Sequence, residues 1–278
     1  MEKQNLVSVA WLAERLQEPD LVIADCRFTL GKPGQGLAAY TDAHIPGALY
    51  FDLEQDLSAP KSLHGGRHPL PDPEAMAALF SQAGIDASVT VVAYDDQDMA
   101  MAARLWWMLR YLGHDKVYVL DGGFPAWQKA GLPVTDEVTA PTARTFVAKP
   151  RPEMLADIDQ VKERAPGTVL IDSRAGERYR GEMETIDPKA GHIPGAVNYF
   201  FKENLTAEGT MRPTGELKQR FSSLPAGEEI IVYCGSGVTA CVNLLALHEI
   251  GRTDAKLYAG SWSDWCSYDL PVATGTKS

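Results

Sequence analysis

An internal repeat constrains the fold of this 278-residue chain more than any other feature of its sequence. The pentapeptide His-Ile-Pro-Gly-Ala occurs at residues 44–48 and again at 192–196, an offset of 148 residues. Near the end of each half, Trp127 is matched by Trp265 at an offset of 138 residues. Solenoid repeats are much shorter, with periods of about 20 to 50 residues. The chain is therefore predicted to contain two duplicated domains, each long enough to bury its own core.

The domain boundaries follow from a stretch without apolar periodicity. Residues 139–152 contain three prolines among mostly polar neighbours, a composition typical of linkers. The sequence predicts a first domain at 1–140, a linker at 141–152 and a second domain at 153–278.

Within each half, short aliphatic runs alternate with helical patterns of apolar residues. Strands are predicted at 21–25, 89–94, 117–120, 168–172, 230–233 and 256–258. Helices are predicted within the first 16 residues and at 73–83, 99–112, 124–130, 154–164, 214–223, 238–250 and 261–266. This alternation predicts the α/β class, with a parallel sheet covered by helices on both faces in each domain. Ligands of such sheets bind beyond the carboxyl ends of the strands.

Cys234 lies where a predicted strand ends and a glycine-spaced loop leads into a helix. Gly235 and Gly237 let the backbone curl so that its N–H groups point inward, and the following helix directs its positive dipole end at the same place. We expect a thiolate there, the form in which cysteine acts as a nucleophile. The alternative is a buried cysteine that ends a core strand, a common environment for free cysteine.

The equivalent loop of the first half carries no cysteine. After the strand that ends at Tyr94, the sequence reads Asp-Asp-Gln-Asp at 95–98. Carboxylates suit the positive end of a helix dipole, but they repel anionic ligands. Only the second domain is therefore predicted to carry out chemistry.

Composition narrows the range of partners. The 26 basic and 37 acidic residues give a net charge of −11, which argues against nucleic acid and anionic membranes as partners. No apolar run reaches the length of about 18 residues expected of a membrane span, and the start does not resemble a signal peptide. The cysteines, at positions 26, 234, 241 and 266, form neither a disulfide framework nor a zinc spacing. We expect a cytoplasmic protein with reduced cysteines.

An acidic protein that binds an anion needs local positive charge. The candidate residues are Arg67, Arg178, Arg180, Lys189 and Arg212. Arg178 and Arg180 are predicted in a loop that faces the same sheet edge as Cys234, because they follow a parallel strand. Solvated loop arginines are the alternative.

Residues present in both halves are expected to be structural. Arg27 and Arg174 occupy the repeated Asp-x-Arg motif and are predicted to pair with a carboxylate. His44 and His192 precede Ile-Pro-Gly and are predicted to stabilise a turn. His68 has no counterpart in the second half, and this asymmetry favours a functional role.

Along nearly its whole length the chain resembles the tandem rhodanese sulfurtransferases. The resemblance rests on the repeated His-Ile-Pro-Gly-Ala, the repeated Asp-x-Arg, the Gly-x-x-x-x-Trp patterns at 122–127 and 260–265, and one cysteine loop in the second domain. Cys-Gly-Ser-Gly-Val-Thr at 234–239 resembles the 3-mercaptopyruvate sulfurtransferase branch in particular. Thiosulfate-using members carry basic residues directly after the cysteine.

The resemblance implies roles for five side chains. Cys234 is the sulfur carrier, and Arg178 matches the anion-binding arginine of the family. Ser236, His68 and Glu54 match a serine, a histidine and an acid around the cysteine, although the acid is more often aspartate.

A second substrate arginine, expected between Arg178 and His192, is absent. Arg180 or Lys189 could take its place. The other predicted substrate contacts are the loop residues Gly235, Gly237, Val238 and Thr239.

The implied reaction is a two-stage sulfur transfer. The Cys234 thiolate takes sulfur from an anionic donor, and the persulfide passes it to thioredoxin, a low-molecular-weight thiol or cyanide. With mercaptopyruvate the leaving group is pyruvate enolate, to which Ser236, relayed by His68 and oriented by Glu54, would supply a proton. No metal or organic cofactor is needed.

Three alternatives stay open. Thiosulfate is the other candidate donor. A phosphatase would use Cys-x5-Arg, but position 240 is alanine. A scaffold or redox sensor would use Cys234 and Cys241, although Cys241 is expected to be buried packing in the helix.

Overall fold

The computed structural model describes residues 5–276, which form two compact α/β units. The first unit comprises the described residues up to Ala59, together with Pro71–Arg151 and Thr206–Met211. The second comprises Pro60–Leu70, Pro152–Leu205 and the described residues from Arg212 onward. The segment Pro60–Leu70 therefore comes from the first half of the sequence but belongs to the second unit.

The first unit is built on a five-stranded parallel sheet with the order β1-β5-β4-β2-β3. Its strands are β1 (Leu6–Val7), β2 (Leu21–Asp25), β3 (Ala48–Tyr50), β4 (Thr90–Tyr94) and β5 (Val117–Leu120). Its helices are α1 (Val9–Ala13), α2 (Gln35–Asp42), α3 (Pro73–Gln82), α4 (Ala100–Tyr111) and α5 (Gly123–Lys129).

The second unit repeats this arrangement with the order β6-β10-β9-β7-β8, again all parallel. Its strands are β6 (Leu155–Ala156), β7 (Val169–Asp172), β8 (Ala196–Asn198), β9 (Ile230–Tyr233) and β10 (Lys256–Tyr258). Its helices are α6 (Ile158–Lys162), α7 (Gly176–Tyr179), α8 (Thr214–Arg220), α9 (Ala240–Glu249) and α10 (Ser261–Trp265), with 3₁₀ turns at Pro152–Met154 and Phe201–Asn204. The predicted α/β class with one parallel sheet per repeat is confirmed.

The sequence located the three inner strands of each sheet and missed the outer ones. The missed strands are the two or three residues long edge strands β1, β3, β6 and β8. The helix predicted at 154–164 is wrong in its first part, where β6 lies, and only Ile158–Lys162 is helical. Asp157 explains that boundary, because its side chain caps α6 in a capping box with Gln160. Arg178, predicted in a loop, lies in the short helix α7.

The repeated histidines have the structural role that was predicted. Nδ1 of His44 donates to the carbonyl oxygen of Tyr40 at 2.7 Å, and the two rings stack with centroids 3.9 Å apart. His192 makes the same bond to Tyr179 at 2.7 Å, with ring centroids 3.8 Å apart. Both rings are buried, so each histidine joins a helix to the turn before Ile-Pro-Gly.

The repeated Asp-x-Arg motif also forms the predicted ion pair in each unit. Arg27 contacts the Asp25 carboxylate at 2.6 Å, and Arg174 contacts that of Asp172 at 2.7 Å. All four side chains are buried, and each carboxylate accepts several hydrogen bonds from its arginine. Removing one partner would leave a buried charge without its counterion, at a cost of about 3 to 5 kcal/mol.

Candidate active site

Cys234 lies directly beyond the carboxyl end of β9 and is 2% exposed. Its backbone is held by the start of α10. The Cys234 N–H donates to Oγ of Ser261 at 3.1 Å, and its carbonyl accepts from the N–H of Trp262 at 3.0 Å. Ser261 adopts a left-handed backbone conformation with φ 56°, which is uncommon outside glycine. The backbone of Cys234 is thus held by the start of α10, a segment that the sequence analysis did not assign to the site.

Residues 234–239 form a curled segment, here called the cysteine loop, that leads into α9. Gly237 has φ 74°, and a Cβ atom there would lie 2.3 Å from the carbonyl oxygen of Ala259, so the position requires glycine. Among the residues that the structure describes, no acceptor takes a hydrogen bond from the backbone N–H of Gly235, Ser236, Val238 or Thr239. These N–H groups are available to an anion.

The structure brings together Ser236 and His68, the two residues to which the family resemblance assigns delivery of a proton. Nδ1 of His68 lies 2.7 Å from Oγ of Ser236, and both side chains are buried. His68 reaches this position because the Pro60–Leu70 segment belongs to the second unit. This segment is anchored by the backbone N–H of Gly65, which donates to the Asp264 carboxylate at 2.7 Å.

Two guanidinium groups lie over Gly235, the residue that follows the cysteine. A Cβ atom at position 235 would lie 2.9 Å from Nη2 of Arg67 and 3.6 Å from Nη1 of Arg178. A larger residue here would displace the Arg67 guanidinium from this position. Arg178 was predicted at this site, whereas Arg67 was a candidate cation without an assigned role.

Two buried carboxylates hold these arginines. Asp187 contacts both of them, with Oδ1 on Arg67 and with Oδ2 on Nη2 of Arg178 at 2.9 Å. Glu184 accepts from Nε and Nη2 of Arg178, and it also lies 3.4 Å from Nη1 of Arg174. Sequence reasoning missed both carboxylates.

The two carboxylates titrate differently. Burial raises the pKa of Asp187 above its ordinary value, and the opposing effect of Arg67 does not offset it. Burial acts on Glu184 in the same direction, but N–H groups of residues 186 and 187 and the Arg178 guanidinium outweigh it, so the pKa of Glu184 is lowered.

Of the other predicted site residues, some lie outside the cysteine loop. Arg180 pairs with the exposed Glu182 at 2.7 Å, and Nζ of Lys189 donates to the carbonyl oxygen of Tyr268 at 2.8 Å. Glu54 belongs to the first unit, where its backbone N–H donates to the Asp52 carboxylate at 2.8 Å. Val238 and Thr239 lie in the cysteine loop.

The remaining cysteines are buried thiols outside the cysteine loop. Burial raises the pKa of Cys26 well above its ordinary value and that of Cys266 to about 11. Cys241 is fully buried, with Sγ 3.5 Å from the carbonyl oxygen of Gly237, which confirms its predicted packing role.

Neither a metal-binding cluster nor a membrane-spanning helix occurs within residues 5–276. Within residues 5–276, no three histidine, cysteine, aspartate or glutamate side chains are grouped so that they could bind a metal ion. No helix in this range combines the length and apolar character that a membrane crossing requires.

Comparison with known proteins agrees with this arrangement. The rhodanese-like domain family matches residues 8–130 and 155–268. A protein of Pseudomonas aeruginosa named as a probable 3-mercaptopyruvate sulfurtransferase is 47% identical, covering 99% of this chain and all of that one. Thiosulfate/3-mercaptopyruvate sulfurtransferase 1 of Arabidopsis thaliana is 37% identical over 99% of this chain and 79% of its own length.

Among solved structures, SseA of Escherichia coli, described as a 3-mercaptopyruvate sulfotransferase, superimposes with a TM-score of 0.81 at 35% identity. The match covers 93% of this chain and 98% of that one. Both domains and the chain fold are thus shared with proteins named as sulfurtransferases. The chain belongs to the rhodanese family, as a tandem-domain sulfurtransferase.

Proposed function

We propose that this protein is a 3-mercaptopyruvate sulfurtransferase that works through a persulfide on Cys234. The observation that carries the proposal is the convergence on the cysteine loop of two kinds of group, a buried Ser236–His68 pair and the Arg178 guanidinium. The first can deliver a proton and the second can hold a carboxylate. Mercaptopyruvate needs both, and the names of the relatives support the same donor.

In the first step Arg178 binds the donor carboxylate. Its Nε and Nη2 are engaged by Glu184 and Asp187, which leaves Nη1 directed at Gly235. A charge-assisted hydrogen bond of this kind contributes about 1.5 to 3 kcal/mol.

In the second step the Cys234 thiolate attacks the donor sulfur. An S–S bond forms, and the C–S bond of mercaptopyruvate breaks, with its electron pair passing to carbon as pyruvate enolate. The Ser236 hydroxyl gives a proton to the enolate and is reprotonated by His68, whose Nδ1 lies 2.7 Å from Oγ. The step needs no outside oxidant or reductant, because the sulfur leaves with one bond broken and one formed.

The persulfide is then passed on. The open N–H groups of the cysteine loop stabilise the negative charge on its sulfur. An acceptor thiolate or cyanide attacks the outer sulfur and releases the Cys234 thiolate, so ping-pong kinetics are expected. Thioredoxin and low-molecular-weight thiols are the proposed acceptors.

Several roles are proposed on the resemblance alone. Glu54 is the proposed orienting acid for His68, and Gly237, Val238 and Thr239 are proposed substrate contacts. Arg180 and Lys189 remain proposed contacts, although their observed partners are Glu182 and the Tyr268 carbonyl group.

The domain boundaries at 140 and 153 are likewise a proposal. A cytoplasmic location is proposed because all four cysteines are free thiols.

Thiosulfate is the second candidate donor, and one observation favours it. The cysteine loop contains no cation, yet Arg67 and Arg178 bring positive charge to Gly235. Against it, Asp187 and Glu184 neutralise much of that charge, which a dianion would need.

Steady-state kinetics with both donors test the proposal. We expect a higher kcat/KM for mercaptopyruvate. A higher kcat/KM for thiosulfate would contradict the proposed donor. Turnover of an aryl phosphate would instead support the phosphatase alternative.

A further inference from the structure

Arg67 approaches the cysteine loop more closely than Arg178 does, although it comes from a distant part of the sequence. Its Nη2 lies 2.9 Å from the position that a Cβ atom of Gly235 would occupy. Its backbone is fixed, because the Arg67 N–H donates to Oγ of Ser263 at 3.0 Å. The guanidinium itself is held by its ion pair with the buried Asp187 carboxylate.

Asp187 aligns the two arginines. One carboxylate oxygen contacts Nη1 of Arg67 and the other contacts Nη2 of Arg178, and Asp187 is nearly fully buried. Within the described part of the chain, Nη2 and the buried Nε of Arg67 donate no hydrogen bond, and neither does Nη1 of Arg178. Unused donors from two arginines thus face the same residue of the cysteine loop.

The charges around this point balance. Three guanidinium groups face three carboxylates, namely Arg67, Arg174 and Arg178 against Asp172, Glu184 and Asp187. Because these six groups carry no net charge together, a ligand with one negative charge adds one uncompensated charge when it uses the free donors, whereas a dianion adds two.

We propose that Arg67 is the second substrate arginine of this enzyme and that it binds the donor carboxylate together with Arg178. The sequence between Arg178 and His192 contains no arginine to do this. Asp187 is a positioning residue, since it contacts both arginines and would not touch the donor. The inference rests on the proposed function, because it assumes a donor with a carboxylate.

The experiment compares two donors that differ only in the carboxylate, 3-mercaptopyruvate and 1-mercaptopropan-2-one. Arg67→Ala should lower kcat/KM for mercaptopyruvate by at least about tenfold, mainly through KM, and change that for the uncharged donor by less than about twofold. Arg67→Lys should recover part of the loss, because lysine keeps the charge but not the two-pronged geometry.

Arg252→Ala is the matched control. Arg252 is also an arginine of the second unit with an aspartate partner, Asp254, and its side chain is 24% exposed against 21% for Arg67. It should behave as wild type with both donors. Calorimetric titration with pyruvate adds a readout without turnover, and Arg67→Ala should weaken its binding by at least about fivefold.

The outcomes distinguish a failure of the proposed function from a failure of the proposed role of Arg67. If the wild-type protein does not use mercaptopyruvate, the proposed function fails. If it does, and Arg67→Ala matches the wild type, the role of Arg67 is overturned alone. An equal loss with both donors in Arg67→Ala and in Arg67→Lys would show a structural role and would also overturn it.

Discussion

The two units have matching sheets, but a different residue follows the central strand in each. In the first unit Asp95 stands where Cys234 stands in the second, directly after an inner strand and 2% exposed in both cases. The carbonyl of Asp95 accepts from the N–H of Phe124 at 2.9 Å, as that of Cys234 accepts from Trp262 at 3.0 Å. In both units the residue that follows this strand is therefore bonded to the start of a later helix, α5 in the first unit and α10 in the second.

The difference lies in what the loop N–H groups bind. The Asp95 carboxylate accepts four of them at 2.9 to 3.1 Å, from Gln97, Met99, Met101 and Ala102. In the cysteine loop, the N–H groups of Gly235, Ser236, Val238 and Thr239 have no acceptor among the described residues. The donors of the first loop thus bind a carboxylate of the protein itself, whereas those of the second are open to an external anion.

The comparison indicates that the cysteine loop binds an anion. The four backbone donors on Asp95 show that N–H groups after an inner strand can bind a buried carboxylate in this fold. We expect the open N–H groups of the cysteine loop to bind a negatively charged sulfur on Cys234. Each of the following experiments changes one of the two loops or the groups that only the second one has.

The largest effect is expected when the second loop is made like the first. Cys234→Asp should abolish sulfur transfer while the fold remains, because the carboxylate can accept the free N–H groups as Asp95 does. Circular dichroism and the assay with mercaptopyruvate check this, with Cys234→Ser as the inactive control that lacks a carboxylate. A Cys234→Asp protein that unfolds would break the analogy between the loops.

The Ser236–His68 pair exists only beside the cysteine loop, so its removal should affect turnover and not the persulfide site itself. His68→Ala should lower kcat with mercaptopyruvate by about 10²-fold or more, the scale of proton-transfer groups. Ser236→Ala should cause a similar loss, and the double variant should lose little more, since the two act as one relay. Additive losses would show that they act independently.

Removal of Arg178 should have a smaller effect. Arg178→Ala is expected to lower kcat/KM for mercaptopyruvate by at least about tenfold, or about 1.4 kcal/mol. Fluorescence-detected unfolding should show whether the loss of its contacts with Glu184 and Asp187 also lowers stability. Unchanged kinetics would remove Arg178 from the site.

The smallest effect concerns the first loop alone. Burial raises the pKa of Asp95 from 3.8 to about 6, despite the backbone donors. Since the native state holds this proton more tightly than the unfolded chain, the contribution of Asp95 to stability falls as pH rises from about 4 to about 6. The side chain of Asp95→Asn does not titrate. Its free energy of unfolding should therefore increase relative to that of the wild type by at least about 1 kcal/mol over that range.

Urea unfolding of both proteins at pH 4.5 and pH 7 measures this difference. Activity with mercaptopyruvate should be unchanged in Asp95→Asn, because the first loop takes no part in the reaction. A constant difference in free energy of unfolding would contradict the raised pKa of Asp95.

The sequence predicted the inner strands well because buried parallel strands are continuous aliphatic runs. The edge strands β1, β3, β6 and β8 carry no such signal, since they are two or three residues long and pair on one side only. Their existence follows from pairing with neighbours that are distant in sequence.

The site was predictable wherever its residues lie in one motif. Cys234, Ser236 and the loop glycines were identified together, and His68 through its asymmetry between the halves. Arg67 and Asp187 were not assigned, because their role depends on a contact between residues 120 positions apart. Arg67 was predicted only as one of five candidate cations, and its place next to His68 was not used.

The central claim is that sulfur passes through Cys234, and mass spectrometry of the protein after incubation with mercaptopyruvate tests it most directly. We predict an added mass of about 32 Da, one sulfur atom, that disappears on treatment with cyanide or a thiol. After digestion with trypsin, Cys234 and Cys241 remain on the same peptide, between Arg220 and Arg252. Fragment ions of that peptide must therefore show which of the two cysteines carries the sulfur. Sulfur on Cys234 alone is the predicted result, and sulfur on Cys26, Cys241 or Cys266 in its place would contradict the account.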